Sequence, residues 1–165
     1  MSMLPPALAR RLYTLKRFTW QERCWWFIAW CLLGFCRAVL LLLPFRKIAP
    51  KLGVQYGDGV MMLCLPEIQW HQAKQIGRVV RSAARHTPWE SKCLVQAMAA
   101  KLFLSCYRIP YVLYFGVAKG QGGELKAHAW VSSGPVFVTG GGSFQGFGVV
   151  SVFVPDYWLI ESEVG

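Results

Sequence analysis

The sequence predicts an α+β domain in which helices come first and an antiparallel sheet follows. Three observations predict it. Helix-patterned segments fill most of residues 24 to 106. The period then changes after Arg108-Ile109-Pro110, where aromatic and β-branched residues take over. From there, glycine- and proline-bearing turns separate short strand-like runs, the order expected of helices packed on one sheet.

Residues 1 to 19 read as a basic, proline-containing arm. The run from Cys24 to Phe45 is apolar apart from Gly34 and Arg37, and Pro44 closes it before Arg46 and Lys47. Its length is close to the ~20 residues that span a bilayer. Arg37 near its middle would be costly there, which favours a packed or membrane-surface helix over a spanning one. Residues 46 to 65 form a connector with a turn at Tyr56-Gly57-Asp58-Gly59. Pro66 opens a helix over 67–84 that is apolar at Ile68, Ile76, Val79 and Val80. Thr87-Pro88 breaks it, and a further helix starts near Ser91 and ends near Cys106. Strands follow over 111–117, 127–132, 136–139 and 149–154, joined by the turn at 119–123, the Gly134-Pro135 hairpin and a glycine-rich loop over 140–148. Residues 1–65 thus carry the arm, apolar helix and connector, and 66–165 the catalytic part; the apolar helix joins both into one compact unit.

A chain of 165 residues with 55% hydrophobic content and eight tryptophans has more apolar surface than one small core needs, so some of it should meet a partner or a membrane. The formal charge of +10 favours acidic partners, anionic lipid or an acidic peptide among them. Its basic clusters are Arg10, Arg11, Lys16 and Arg17; Arg46, Lys47 and Lys51; and Arg78, Arg81 and Arg85. The bland alternative is a solvated face. Aromatic interleaving is missing around Arg78 to Arg85, which argues against nucleic acid. The six cysteines fit buried small hydrophobes better than disulfides, and no cleavable signal peptide opens the chain, so the expected compartment is the cytoplasm, with membrane association open.

The chemistry concentrates in two segments. In Pro88-Trp89-Glu90-Ser91-Lys92-Cys93-Leu94, Ser91 is an N-cap candidate that places Cys93 in the first turn of its helix. Free backbone amides and the helix dipole there favour a thiolate, and Lys92 adds positive charge. In Ala127-His128-Ala129-Trp130-Val131, strand alternation puts His128 and Trp130 on one face, and a histidine so held can serve a cysteine as general base. His71 and His86 lack a comparable setting. Cys24, Cys31, Cys36 and Cys106 read as structural.

A helix-borne cysteine, then about 35 residues on a strand-borne His-Ala-Trp, resembles the transglutaminase-like branch of papain-type folds. The motifs P-W-x-S-x-C-L-x-x-A (Pro88 to Ala97), R-I-P-Y-V-L-Y-F-G-V (Arg108 to Val117) and A-H-A-W-V are similar to the lasso-peptide biosynthesis B2 protein family. The upstream Leu-Pro-Phe-Arg-Lys at 43–47 is similar as well, so the resemblance covers roughly residues 20 to 140.

That resemblance implies a leader peptidase with Cys93 as nucleophile and His128 as base, and with Trp89 and Trp130 beside the substrate. It implies as partners a precursor leader peptide, a separate leader-recognition protein and an asparagine-synthetase-like cyclase. The family's aspartate, a dozen or so residues after the histidine, is absent: the stretch Pro135 to Gly140 holds no carboxylate or amide. Thr139, Gln145, Asp156 or a backbone carbonyl remain as the orienting group. A non-catalytic, membrane-associated scaffold and an amide-transferring enzyme are the alternative functions. No P-loop or zinc-type spacing occurs, so neither metal nor cofactor is expected.

Overall fold

The computed structural model describes residues 18–57, 61, 63–120 and 122–158. Most of the basic arm, together with Asp58 and Gly59 of the expected turn, lies outside the described residues.

Helix α1 spans Trp20–Leu42. It begins four residues earlier than its apolar run because Thr19 and Glu22 form a capping box: Thr19 Oγ1 accepts from the Glu22 amide at 3.3 Å, and Glu22 Oε2 accepts from the Thr19 amide at 3.0 Å. A single turn, α2 (Phe45–Ile48), and a 3₁₀ turn (Ala49–Lys51) lead into β1, Val54–Gln55. Helix α3 is Glu67–Ala84 and α4 is Cys93–Cys106. Strands β2 (Val112–Lys119), β3 (Leu125–Ser133), β4 (Val136–Thr139) and β5 (Gly148–Val154) complete the element order. All pairings are antiparallel, and the sheet order is β1-β5-β2-β3-β4.

The helices cover one face of the sheet. Trp25, Ala29, Leu33 and Cys36 of α1, Ile76, Val79 and Val80 of α3, and Ala97, Ala100 and Leu104 of α4 join Leu113, Ala129, Val131 and Phe153 of the sheet in one core. The i, i+4, i+8 spacing of the α1 residues is what lets one stripe of it reach that core. Ile68 falls outside the buried face of α3 and is exposed, since the helix turns Ala73, Ile76, Gly77 and Val80 inward instead. The opposite face of the sheet carries a smaller cluster built from Leu63, Val112, Tyr114, Trp130, Val152 and Val154. Alternation along each strand separates the two cores.

Candidate active site

Cys93 is the first residue of α4 and is half-buried. Its helix starts later than the Ser91 cap would set it. The Ser91 hydroxyl is engaged by Thr87 Oγ1 at 2.9 Å, so Lys92 takes the N-cap position, with no side-chain cap. The first-turn amides around Cys93 are therefore left without a capping side chain and stay open to donate to an incoming oxyanion. Gln96 holds this entry in place, donating from its amide to Lys92 O at 3.0 Å and from Nε2 to Ser91 O at 2.7 Å. The positive charge of Lys92 is partly answered by Glu90, 3.3 Å away.

His128 lies on β3 opposite Gly116 of β2. Its Nε2 is 3.0 Å from the Gly140 carbonyl oxygen and 3.3 Å from Ser143 Oγ. A carbonyl only accepts, so Nε2 carries the hydrogen, and the neutral ring keeps its lone pair on Nδ1. Aromatic rings flank the imidazole: Trp130 is stacked at 5.7 Å and 21°, and Phe147 lies at 5.2 Å. Gly140 takes φ +73°, and a Cβ there would come within 2.8 Å of Ala129 O and 2.7 Å of Trp130 Cβ. Only glycine brings this carbonyl so close to the base.

The expected pairing of His128 with Trp130 on one face is present, but that face is not the one the helices cover. Ala129 and Val131 point into the helical core, which turns His128 and Trp130 to the other side, among Phe144 and Phe147. Five residues separate the end of α4 from the start of β2, and α4 packs against β3 and β4 on the helical face of the sheet. His128 lies toward the Lys119 end of β2. Among the described residues no hydrogen bond joins Cys93 to His128.

The remaining candidates separate. Thr139 is buried in β4 beside Val131, and its hydroxyl has no hydrogen-bond partner among the described residues. Gln145 lines a cavity on the His128 face. Asp156 lies beside Lys101 and Tyr111, near the opposite end of β2. Of the orienting groups left open, it is a backbone carbonyl, that of Gly140, that holds the imidazole, with Ser143 beside it. Trp89 packs on α1, 4.8 Å from Trp30 and against Gly34. His86 is internal, its Nδ1 2.7 Å from Ser82 O, and His71 is exposed beside Glu67.

The cavity next to His128 measures about 290 Å³ and is walled by Met61, Tyr114, Trp130, Phe144, Phe147 and Val149. That is roughly twice the ~150 Å³ void that accepts benzene. Trp130 and Phe147 belong both to this wall and to the frame around the imidazole. Phe144 and Phe147 escaped the sequence reading, although their spacing within a glycine-rich loop was a usable signal. Among the described residues no cluster of three or more His, Cys, Asp or Glu side chains is placed to hold a metal ion.

This fold, with a helix-initiating cysteine and a strand histidine, defines a transglutaminase-like domain. The family model of the transglutaminase-like superfamily matches residues 39–152, over two thirds of the chain, and the protein belongs to that superfamily. Its members include cysteine proteases and transglutaminases. No curated protein and no solved structure matches the chain.

Proposed function

We propose that the protein is a cysteine peptidase that removes the leader from a ribosomally made lasso-type precursor, with Cys93 as nucleophile and His128 as base. The observation that carries the reading is the fixed tautomer of His128. With Nε2–H committed to Gly140, the proton acceptor is Nδ1. In the reaction Nδ1 takes the Cys93 thiol proton, Sγ adds to the scissile carbonyl, and the imidazolium returns the proton to the departing amine. Water then hydrolyses the thioester, with His128 again as base. The uncapped first turn of α4 supports the charge on sulfur and on the carbonyl oxygen. Because His128 faces away from the helical layer, the reading requires the ring or the α4 entry to move so that Sγ and Nδ1 reach hydrogen-bond distance in the substrate complex.

The apolar cavity beside His128 suits an apolar side chain flanking the cleaved bond. The precursor, a separate recognition protein and an asparagine-synthetase-like cyclase are the partners in this reading. An amine in place of water as acceptor would make the same residues an amide-transfer site.

The test incubates the protein with precursor and recognition protein and follows products by mass spectrometry. A leader-sized fragment should form with the parent chain and fall by at least about 10³-fold with Cys93→Ala and with His128→Ala. Unchanged cleavage by Cys93→Ala overturns the nucleophile. Precursor binding without a fragment from the parent chain favours the scaffold.

A further inference from the structure

We propose that α1 lies in the plane of an anionic membrane surface and docks the domain there through one apolar stripe. Helix α1 is long and apolar enough to cross a bilayer by length and composition. Its packing says otherwise. Trp25, Ala29, Leu33 and Cys36 are core residues, and the Glu22 carboxylate is buried in an ion pair with Arg78 of α3. Standing α1 upright in lipid would strip it from the domain whose core it completes.

The other side of the same helix is bare. Trp20, Cys24, Phe27, Ile28, Cys31, Phe35, Ala38 and Leu42 are all exposed. At 3.6 residues per turn they fall within an arc of roughly 100°, and 23 residues give the stripe a length of about 34 Å. Phe27 is 63% and Leu42 80% exposed, and Leu43 and Phe45 continue the surface past the helix end. A continuous apolar surface of this length marks a contact site. Arg37, the cation within the run, lies off the stripe and reaches Glu90 at 3.7 Å, so no charge interrupts it.

Charge selects lipid as the occupant. Over residues 18–57 the cations are Arg23, Arg37, Arg46, Lys47 and Lys51, while the sole acid is the buried Glu22. Arg46 and Lys47 are exposed directly beyond the apolar tip, where headgroups would meet them, and Trp20 occupies the interfacial position at the other end. An apolar stripe bordered by cations is the composition of a helix that lies in the headgroup boundary.

The experiment is co-sedimentation of the full chain with phosphatidylcholine vesicles, with and without phosphatidylglycerol. Binding should need phosphatidylglycerol, weaken at high salt, reverse in alkaline carbonate, and drop at least about tenfold in Phe27→Glu/Phe35→Glu. Arg46→Glu/Lys47→Glu keeps the stripe and should lose the phosphatidylglycerol preference, which tests the charge should the first variant fail to fold. Absence of binding to either vesicle overturns the proposal. So does retention after the carbonate wash, which would mean spanning, or a dimer in place of vesicle binding that Phe27→Glu/Phe35→Glu disrupts. None of these readouts depends on peptidase activity.

Discussion

His128 and Gly140 are twelve residues apart and joined by one 3.0 Å hydrogen bond from Nε2 to a backbone carbonyl. A carbonyl dipole orients the ring as a carboxylate would, but contributes no full negative charge to the imidazolium. The ring is positioned by a dipole and not by a carboxylate, and this distinction can be tested.

Ser143→Asp places a carboxylate where Oγ now stands, 3.3 Å from Nε2. A carboxylate there can accept from Nε2 and supply the full negative charge that a carbonyl lacks, so leader cleavage by Ser143→Asp should be at least as fast as by the parent chain. Mass spectrometry of the cleavage time course checks this, and a fall of about tenfold or more would mean that the new side chain displaces the imidazole instead of holding it.

Gly116 faces His128 across the β2–β3 ladder, and a Cβ there would lie 2.8 Å from two atoms of the Trp130 indole and 3.0 Å from Phe147 Cβ. The indole is itself buried between Tyr114 and Phe144, so moving it aside breaks those ring contacts. Gly116→Ala should therefore cost about 1–3 kcal/mol in chemical denaturation and lower kcat through a displaced imidazole. Wild-type stability and rate together would show that the frame around the ring is loose.

Burial separates the cysteines. The Cys36 thiol, fully enclosed in the core, is pushed up to about 12 by desolvation, with Lys101 opposing weakly. Alkylation of the native protein at neutral pH should therefore spare Cys36 while modifying the exposed Cys24, Cys31, Cys64 and Cys106. The folded state keeps a proton that the unfolded chain releases near its ordinary value of 9.0. Stability from this group is thus full below that pH and declines between about 9 and 12. Peptide mapping after iodoacetamide treatment reads the pattern, and early loss of Cys36 would mean that α1 detaches from the core.

The sequence revealed more of the elements than of their faces. The α3 helix and β2 to β5 were legible because their periods are clean and glycine or proline bounds them. Strand β1 was not, because two residues cannot show alternation and its partner, β5, lies about a hundred residues away. The start of α1 hid in the Thr19/Glu22 box, upstream of the apolar run that drew attention. Ser91 looked like a cap until Thr87, a residue of the preceding turn, claimed its hydroxyl. Alternation told which residues accompany His128 but not which side the helices take, since that depends on Ala129 and Val131 meeting α4. A backbone carbonyl was among the orienting groups the sequence left open, but not which one: every residue has a carbonyl, and only the fold says that Gly140 arrives.

The joint between α1 and α3 rests on Glu22 and Arg78. Glu22 does two things at once: Oε2 closes the capping box with Thr19, while Oε1 meets the Arg78 guanidinium. The carboxylate side chain is 6% exposed and the guanidinium 54%, so water screens one partner and not the other. Removing the arginine leaves a buried charge, whereas removing the acid leaves a solvated one and only the Thr19 half of the capping box. Arg78→Ala should therefore destabilise the fold by about 2–4 kcal/mol, below the full cost of breaking a wholly buried pair because the cation is screened. Glu22→Gln should cost less, about 1–2 kcal/mol, since an amide still fills the site and can accept from Thr19. Denaturant unfolding of both variants gives the ordering, and Glu22→Gln proving the more damaging would mean that the unpaired carboxylate left by Arg78→Ala is solvated and not trapped in a buried site.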